Sequence, residues 1–324
     1  MDRPEAPEPS LLAEAAVSLQ RTTSNEAPIT WEVVERIERP RSTIFRLQAP
    51  VGTNRVDAFY KADLRGATDQ QGTKNAADVL RIEACLNLEL QSEFRRISAN
   101  HDLLLASDPD RLAAVRMGVP GRPLGSALRW LPRWRRAATV FENIGTTLAA
   151  VEHVGRTLPL PPGTPDVLGF VELTLDRAKP QLTKRSAASI QHELRSLADE
   201  PNRELNLVWA HNDLSGSNIL VDGQTVGIID FSWAPRPQHS DLAHLHARIE
   251  CERLSAPAWT KRALSDLRRG RGLEPHVDLS LADPAWRVAL IERALRFIPR
   301  SGNRRRNTAA EWGWRTLRGL GHTG

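Results

Sequence analysis

Residues 208–231 constrain this chain more than any other part of its sequence. They read VWAHNDLSGSNILV, then an Asp-Gly pair, and shortly afterwards VGIIDF. Two apolar strand-like runs on either side of Asp-Gly predict a β-hairpin, because that dipeptide suits a tight turn. One carboxylate precedes the hairpin, one amide stands at its entry and a second carboxylate follows its exit. We therefore expect Asp213, Asn218 and Asp230 to gather at one end of it.

These three side chains offer hard oxygen ligands. Mg²⁺ prefers carboxylate, carbonyl and water oxygens and usually shares its coordination shell with substrate phosphates. The hairpin therefore indicates a magnesium site that is completed by a phosphorylated ligand. A lone aspartate in a turn is usually a capping or solvated residue, so this interpretation depends on the whole set and not on Asp213 alone.

The sequence before the hairpin predicts a small lobe of mixed structure. From Ile29 onward, short runs with strand-like patterns are separated by turn-rich segments, and the first three predict an antiparallel meander. Between the third and fourth runs, Ala76 to Ser98 carries apolar residues every three or four positions, as a long amphipathic helix requires. The five strand-like runs cover residues 31–37, 43–47, 56–61, 103–105 and 112–115.

The chain becomes mainly helical after the glycine- and proline-rich segment 118–123. Asp283 is a natural N-cap with Pro284 in the first helical position, and we interpret Asp241 as a helix cap as well. The helices are predicted at residues 141–154, 187–197, 241–253, 258–268 and 284–297. The pattern favours an α+β fold in which a hinge joins a small β-rich lobe with one long helix to a larger, mainly helical lobe that contains the hairpin.

This pattern divides the chain into three segments. Residues 1–28 contain several prolines with many Glu, Ser and Thr, so we expect a disordered tail in which only 11–19 could form one short helix. Residues 29–117 form the first lobe and 118–324 the second. No apolar run is long enough to span a membrane, and the first residues lack a signal-peptide pattern, so we expect a cytoplasmic protein with no membrane partner.

Composition excludes several classes of protein. The two cysteines, Cys85 and Cys251, are too few for a disulfide framework and stand in no zinc-binding pattern. The net charge is +5, but residues 293–324 alone carry eight arginines against one acid, Glu311. Because the rest of the chain is slightly acidic, nucleic acid is not the expected partner of the whole fold. A role for the basic C-terminal segment in binding phosphate or an acidic partner stays open.

The hairpin also resembles a known superfamily. The pattern HxDxxxxN followed by IIDF resembles the catalytic and metal-binding segments of protein-kinase-like phosphotransferases, and HNDLSGSNI is similar to that of the aminoglycoside and choline phosphotransferases. Eukaryotic protein kinases usually have Arg or Tyr before the aspartate and Lys two places after it, where this chain has Asn212 and Ser215. Further similarity lies in residues 120–124, 144–153 and 240–243. The resemblance implies a protein-kinase-like fold with two lobes.

The resemblance implies a role for each residue of the hairpin. Asp213 would accept or orient the proton of the substrate hydroxyl, and Asn218 and Asp230 would hold Mg²⁺. His211 would brace the loop. Lys61 ends the third strand, where the family places the lysine that contacts the α- and β-phosphates of ATP.

The resemblance also implies a nucleotide site in the first lobe. A helix glutamate should pair with Lys61, and Glu83 is our choice, although Glu89 and Glu93 compete because the preceding loop hides the helical register. Adenine should meet backbone groups of Met117 and Val119, with Arg116 standing where the family usually has an apolar residue. The phosphate-covering turn lacks glycine, so hydroxyl or amide groups of Ser42 and Thr43 must contact the phosphates instead.

These residues favour an ATP- and Mg²⁺-dependent phosphotransferase whose acceptor is a hydroxyl of a sugar, an antibiotic or a natural-product intermediate. Aminoglycosides are polycations, so the basic C-terminal segment favours a neutral or anionic acceptor over them. One alternative is a Ser/Thr kinase for a peptide precursor whose acidic leader docks on Arg304, Arg305 and Arg306. Another is a pseudokinase that only binds, although the intact catalytic set argues against it.

Overall fold

The computed structural model divides the chain into two compact units. The first comprises Met1–Gly121 and Gly227–Phe231, and the second comprises Arg122–Val226 and Ser232–Gly324. Within these units the structure describes residues 4–23, 27–40, 42–63, 70–127, 134–198, 205–251, 257–272, 283–298 and 304–321.

The first unit is built around a five-stranded antiparallel sheet with the order β1-β2-β3-β6-β5. Its strands are β1 (Glu32–Arg39), β2 (Ser42–Val51), β3 (Asn54–Asp63), β5 (Leu104–Asp108) and β6 (Ala113–Met117). Every second residue of β2 is buried, including Phe45, Leu47 and Ala49, because alternate side chains of a strand point to the same face. The predicted meander and the two later strands are confirmed.

A long helix, α2 (Gln70–Arg96), follows the meander, as the apolar spacing predicted. Leu86, Leu90 and Phe94 are buried on one face of it. The helix leads into the short strand β4 (Asn100–His101), which pairs in parallel with Gly227 and Ile228 of the same unit. This pairing ties residues 227–231 to the first unit although the sequence places them more than a hundred positions later.

The N-terminal segment differs from the disordered tail that its composition led us to expect. Residues Pro9–Thr23 form helix α1. Leu11, Ala15 and Leu19 are spaced four apart on one face and lie in the same core cluster as the buried side chains of the sheet. Alanine and leucine on a narrow stripe suffice for burial because the sheet supplies the remaining apolar surface.

The second unit is mainly helical. Its helices are α3 (Leu124–Ala127), α4 (Trp134–Gly155), α5 (Val167–Ala178), α6 (Lys184–Ala198), α7 (Ser240–Cys251), α8 (Pro257–Gly270), α9 (Pro284–Phe297) and α10 (Arg304–Gly319). Short strands accompany them: β7 (Arg122–Pro123), β8 (Leu207–Ala210), β9 (Ile219–Asp222), β10 (Thr225–Ile228, which continues into the first unit) and β11 (Ala234–Pro237). β8 pairs with β11 and β7 pairs with β9, both antiparallel. The α+β class with a β-rich first part and a helical second part is therefore confirmed.

Two glycines allow α4 and α8 to cross at close range. A β-carbon on Gly145 would overlap the carbonyl oxygen of Leu267, and one on Gly270 would overlap the carbonyl oxygen of Glu142. Only a residue without a side chain permits this approach of two backbones. The contact brings the residue after α8, Arg271, to the C-terminal half of α4.

The basic C-terminal segment is helical in its described part. In α10, Ala309, Trp312 and Leu317 are buried, so a frayed, solvated tail does not describe residues 309–317. Before it, Asp283 caps α9 as predicted, accepting hydrogen bonds from the N–H groups of Ala285 (2.8 Å) and Trp286 (3.4 Å). Over the described residues, no helix combines the length and apolarity needed to cross a membrane.

Candidate active site

The segment after β8 forms a tight loop around Asp213. The N–H of Asp213 donates to the carbonyl of His211 (2.9 Å), and the N–H of Ser215 donates to the carbonyl of Asp213 (3.0 Å). Asn218 closes the loop, because its side-chain Nδ2 donates to the carbonyl of Asp213 at 2.8 Å. Its Oδ1 accepts only a long bond from Ser217 (3.3 Å). The bond at Nδ2 therefore fixes the direction of the Asn218 amide oxygen.

A buried carboxylate holds the start of this loop. Asp241, near the beginning of α7, accepts from the backbone N–H of His211 at Oδ2 (2.7 Å) and from that of Asn212 at Oδ1 (2.9 Å). Asn212 has φ +66°, a left-handed conformation that costs free energy outside glycine. In the sequence, Asp241 is recognisable only as a helix cap. Its bonds to a loop 30 positions earlier show a positioning role that chain-local patterns could not reveal.

His211 itself is completely buried. Its carbonyl accepts from the N–H of Ser232 (3.1 Å), and its ring Nδ1 lies 3.3 Å from the N–H of Asp213. Both contacts fit the predicted role of a brace for the loop, which stays a prediction.

Glu152 holds the turn that leads into the helix of Asp241. Its carboxylate accepts from the N–H of His239 (2.9 Å) and pairs with Arg271 (2.6 Å) and Arg156 (2.7 Å). Burial alone would raise the pKa of Glu152, but the hydrogen bond from His239 and the charge of Arg271 hold that pKa well below its usual range. Because His239 immediately precedes α7, this cluster fixes the turn from which Asp241 reaches the loop.

In the first unit, the structure brings Lys61 and Asp230 together. Lys61 Nζ lies 2.7 Å from Asp230 Oδ1. Lys61 occupies the register of β3 opposite Ala114 of β6, and Asp230 follows β10 with a left-handed φ of +59°. Both side chains keep substantial exposure, 29% and 48%, so the pair can reach a ligand.

A second buried aspartate holds Asp230. Asp102 Oδ2 accepts from the backbone N–H of Asp230 at 2.9 Å and lies 3.8 Å from Arg116 Nε. Burial raises the pKa of Asp102, an effect that Arg116 opposes and the neighbouring Glu83 carboxylate reinforces. The bond to Asp102 fixes the backbone of Asp230 in its left-handed conformation.

The sequence led us to expect that Glu83 pairs with Lys61. In the structure, Glu83 pairs with Arg116 instead. Two bonds of 2.8 and 2.6 Å join the carboxylate to the guanidinium, and both side chains are almost fully buried. The planar guanidinium matches a carboxylate with two parallel bonds, which an ammonium cannot do. The unusual position of Arg116 was visible in the sequence, but its partner across helix and sheet was not. Of the competing residues, Glu93 pairs with Arg96.

The remaining predicted nucleotide contacts lie at the edges of strands. Ser42 begins β2 opposite Asp63, and both Ser42 and Thr43 are buried. Thr43 Oγ1 has no partner within the described part of the chain. Near the predicted hinge, the N–H of Met117 is already bonded to the carbonyl of Leu103 (2.9 Å), so this N–H is not free for adenine.

Val119 packs against the backbone of Gly227, where a β-carbon would overlap its side chain. The side chains of Arg304, Arg305 and Arg306 lie outside the described residues. The docking of an acidic leader on them is therefore untested.

The donor atoms fit magnesium. Asp230 supplies a carboxylate and Asn218 an oriented amide oxygen, and both are ligand types that Mg²⁺ prefers. Across the described ranges, no group of three or more His, Cys, Asp or Glu could hold a metal ion. A Mg²⁺ ion held by Asp230 would complete its coordination with oxygens of a ligand and of water.

Comparisons with known proteins agree with this geometry. The model of a family described as "Phosphotransferase enzyme family" matches residues 98–273, more than half of the chain. No curated protein matches the sequence.

Solved structures share the fold at low identity. A choline/ethanolamine kinase family protein from Mesorhizobium loti is 15% identical with a TM-score of 0.53, and the match covers 94% of this chain and 95% of that one. The GDP and kanamycin complex of APH(2")-IIia is 16% identical with a TM-score of 0.50, over 94% and 96%. The superfamily resemblance is therefore confirmed.

The buried Glu83–Arg116 pair yields a prediction about stability. Arg116→Gln leaves the Glu83 carboxylate buried without its cation, so we expect the free energy of unfolding to fall by about 3–5 kcal/mol. Denaturant unfolding of the whole chain measures it. Arg96→Gln, which breaks the exposed pair with Glu93, is the matched control and should cost about 0–1 kcal/mol. Equal losses in the two variants would contradict the importance of the buried pair.

The Glu152 cluster yields a prediction about pH. A carboxylate whose folded pKa lies below its unfolded value of 4.5 stabilises the fold above that value and loses this contribution as pH falls through the folded pKa. Glu152→Gln should therefore be less stable than wild type at pH 7, and the gap should shrink below about pH 4.5. Urea unfolding between pH 3 and 7 checks this, with Glu172→Gln on α5 as control. A gap that is constant with pH would exclude a charged Glu152.

Proposed function

Because the chain belongs to the phosphotransferase enzyme family, we propose that it transfers the γ-phosphoryl group of ATP, with Mg²⁺, to a hydroxyl of a small polar molecule. The ion pair of Lys61 and Asp230 at 2.7 Å carries this proposal. It sets a cation suited to phosphate oxygens beside a carboxylate suited to a metal ion, and both belong to one compact unit. Phosphoryl transfer needs this combination of charges.

On the nucleotide side, Lys61 binds the α- and β-phosphates, and Asp230 with Asn218 would hold Mg²⁺. The bound ion neutralises charge on the phosphate oxygens. Asp102 keeps Asp230 in place through its backbone N–H, and the Glu83–Arg116 pair fixes α2 against β6 beneath it. Among the described residues, Lys61 therefore pairs with Asp230 and not with a helix glutamate.

On the acceptor side, Asp213 accepts the proton of the attacking hydroxyl, or orients that hydroxyl, as the oxygen approaches phosphorus. The loop does not need to reorganise for this step, because Asp241 and Asn218 already fix the backbone on both sides of Asp213. Positioning of this kind supplies most of the rate in phosphoryl transfer.

The names of the two structural neighbours support a small acceptor. One belongs to a choline/ethanolamine kinase family and the other holds kanamycin together with GDP. The alternative of a peptide kinase depended on Arg304, Arg305 and Arg306, and no described side chain argues for it.

Asp213→Asn tests the acceptor side. An amide keeps the shape of the carboxylate but cannot accept the proton, so kcat should fall by about 10²–10⁴-fold while ATP affinity stays within about twofold. Turnover and nucleotide binding are measured separately, with Asp222→Asn, an exposed aspartate of the same hairpin, as control. A variant that keeps more than about a tenth of wild-type kcat would remove Asp213 from this role.

Asp230→Asn tests the nucleotide side. Loss of the carboxylate charge should move the Mg²⁺ requirement to concentrations higher by about tenfold or more, because the amide is a weaker ligand. Initial rates at fixed ATP over a range of Mg²⁺ concentrations measure it, again beside Asp222→Asn. An unchanged Mg²⁺ dependence would make Asp230 a purely structural partner of Lys61.

A further inference from the structure

Arginines of the second unit converge on the residue that precedes Asp213. Arg236 of β11 donates from Nε to Asn212 Oδ1 at 2.7 Å, and Arg296 of α9 donates to the same oxygen at 3.4 Å. Arg293, one turn before Arg296, is 98% buried beside them. We call Arg236, Arg293 and Arg296 the arginine cluster. The cluster does not include the C-terminal residues Arg304, Arg305 and Arg306.

Two carboxylates face the cluster, and both have other bonds. Glu292 is fully buried and lies 3.5 Å from Arg296 and 4.0 Å from Arg293. Its single negative charge therefore balances only part of the positive charge of these two arginines. Asp241 is engaged by the backbone N–H groups of the loop. In the described part of the chain, no carboxylate forms an ion pair with Arg236, although the charges of Glu292 and Asp241 reach it.

Arg236 has hydrogen-bonding capacity to spare. Of its five N–H donors, one serves Asn212 and one serves the carbonyl of Pro235 (2.8 Å). Among the described residues nothing accepts from the other three. Phe170 lies against the guanidinium, 5.3 Å from the ring centre, and limits its movement. The group is therefore oriented but not saturated.

The electrostatics of Arg236 agree with this geometry. Burial, followed by the charges of Arg296 and Arg293, lowers the pKa of Arg236 to about 10. Arg116, which is also buried, shows the opposite behaviour, since Glu83 and Asp102 raise its pKa above the ordinary value despite burial. A buried cation with enough anionic neighbours behaves like Arg116. Arg236 instead has no carboxylate paired with it among the residues that the structure describes.

We propose that the arginine cluster binds an anionic group, a carboxylate or a phosphate ester, that the acceptor carries in addition to its reacting hydroxyl. This inference rests on the proposed function, because it places that group beside Asp213. Asn212 and Asp213 are neighbours in the chain, with Cα atoms about 3.8 Å apart, and for this reason we assign the anion and the reacting hydroxyl to one small molecule. Guanidinium groups bind planar carboxylates and phosphates through paired hydrogen bonds.

The cluster argues at the same time against polycationic acceptors. An ammonium group beside Arg236 would meet a like charge in a partly buried site, which is strongly unfavourable. An acceptor of the aminoglycoside type would have to place all of its ammonium groups away from the residue next to Asp213.

The competing explanation is that the arginines only clamp Asn212 in its left-handed conformation. A clamp would change stability by the same amount whatever anion is present. A binding site would change the affinity for anions selectively. The test therefore measures anion binding and not activity alone.

The experiment uses the whole chain, saturated with Mg²⁺ and a non-hydrolysable ATP analogue that fills the phosphate-binding region of the nucleotide site. Sulfate, as a stand-in for a phosphate ester, and acetate, as a carboxylate, are each titrated against chloride at constant ionic strength, and the midpoint of thermal unfolding gives the apparent Kd. Wild type is compared with Arg236→Gln, Arg296→Gln and the control Arg185→Gln, an exposed arginine of α6. Comparison between variants cancels the general stabilisation of proteins by sulfate.

We expect wild type and Arg185→Gln to bind at least one of the two anions, and Arg236→Gln to bind it about tenfold more weakly. Tighter binding of sulfate points to a phosphate ester, and tighter binding of acetate points to a carboxylate. If Arg236→Gln does not fold, Arg296→Gln decides, because its side chain is a quarter exposed and easier to replace.

Equal anion affinities in wild type and Arg236→Gln, or no binding in wild type beyond chloride, would overturn the proposal and leave the clamp. The stabilisation that the ATP analogue itself produces is read first, in the absence of added anion. If the analogue does not stabilise the chain, this result counts against the proposed function. It does not count against the arginine cluster, because the anion titration is also performed without nucleotide.

Discussion

The whole arrangement depends on one kind of interaction, in which a buried aspartate accepts backbone N–H groups at the start of a functional segment. Asp241 does this for the loop that carries Asp213, and Asp102 does it for Asp230. In both places the chain adopts a left-handed conformation at a residue that is not glycine. The two aspartate side chains offset that cost with the hydrogen bonds that they accept from the backbone.

Each of these aspartates needs its own support, and the two units provide it differently. Arg116 lies beside both Asp102 and the buried Glu83, so one cation on a strand faces two carboxyl groups. Over the described residues, Asp241 forms no ion pair, and it is positioned instead by the turn that Glu152 holds through His239. The side chains of Lys61, Asp213 and Asp230 can therefore remain at least partly exposed. The buried residues that hold them bear the backbone strain and the buried charge.

Much of this could be predicted from the sequence, because local chemistry determined it. The hairpin with Asp213, Asn218 and Asp230, the meander that ends at Lys61 and the cap at Asp283 all follow from turn residues and periodicity over a few positions. The pairing of Glu83 with Arg116 could not be predicted, since it depends on how α2 rotates over β6. A short helix within residues 11–19 was foreseen, but its burial against the sheet was missed because alanine forms part of its buried stripe and counts little in composition. Asp241 was recognised only for its position in its own helix.

The glycine contact between α4 and α8 limits how this chain can change over evolutionary time. Arg271 reaches Glu152 only because Gly145 and Gly270 let the two helix backbones touch. A larger residue at either glycine would push α8 away from α4 and separate Arg271 from Glu152. Neither glycine belongs to the residues that we propose to contact a substrate. Side chains near Asn212 can thus vary while the fold persists, whereas these two positions must stay as they are for any such change to be tolerated.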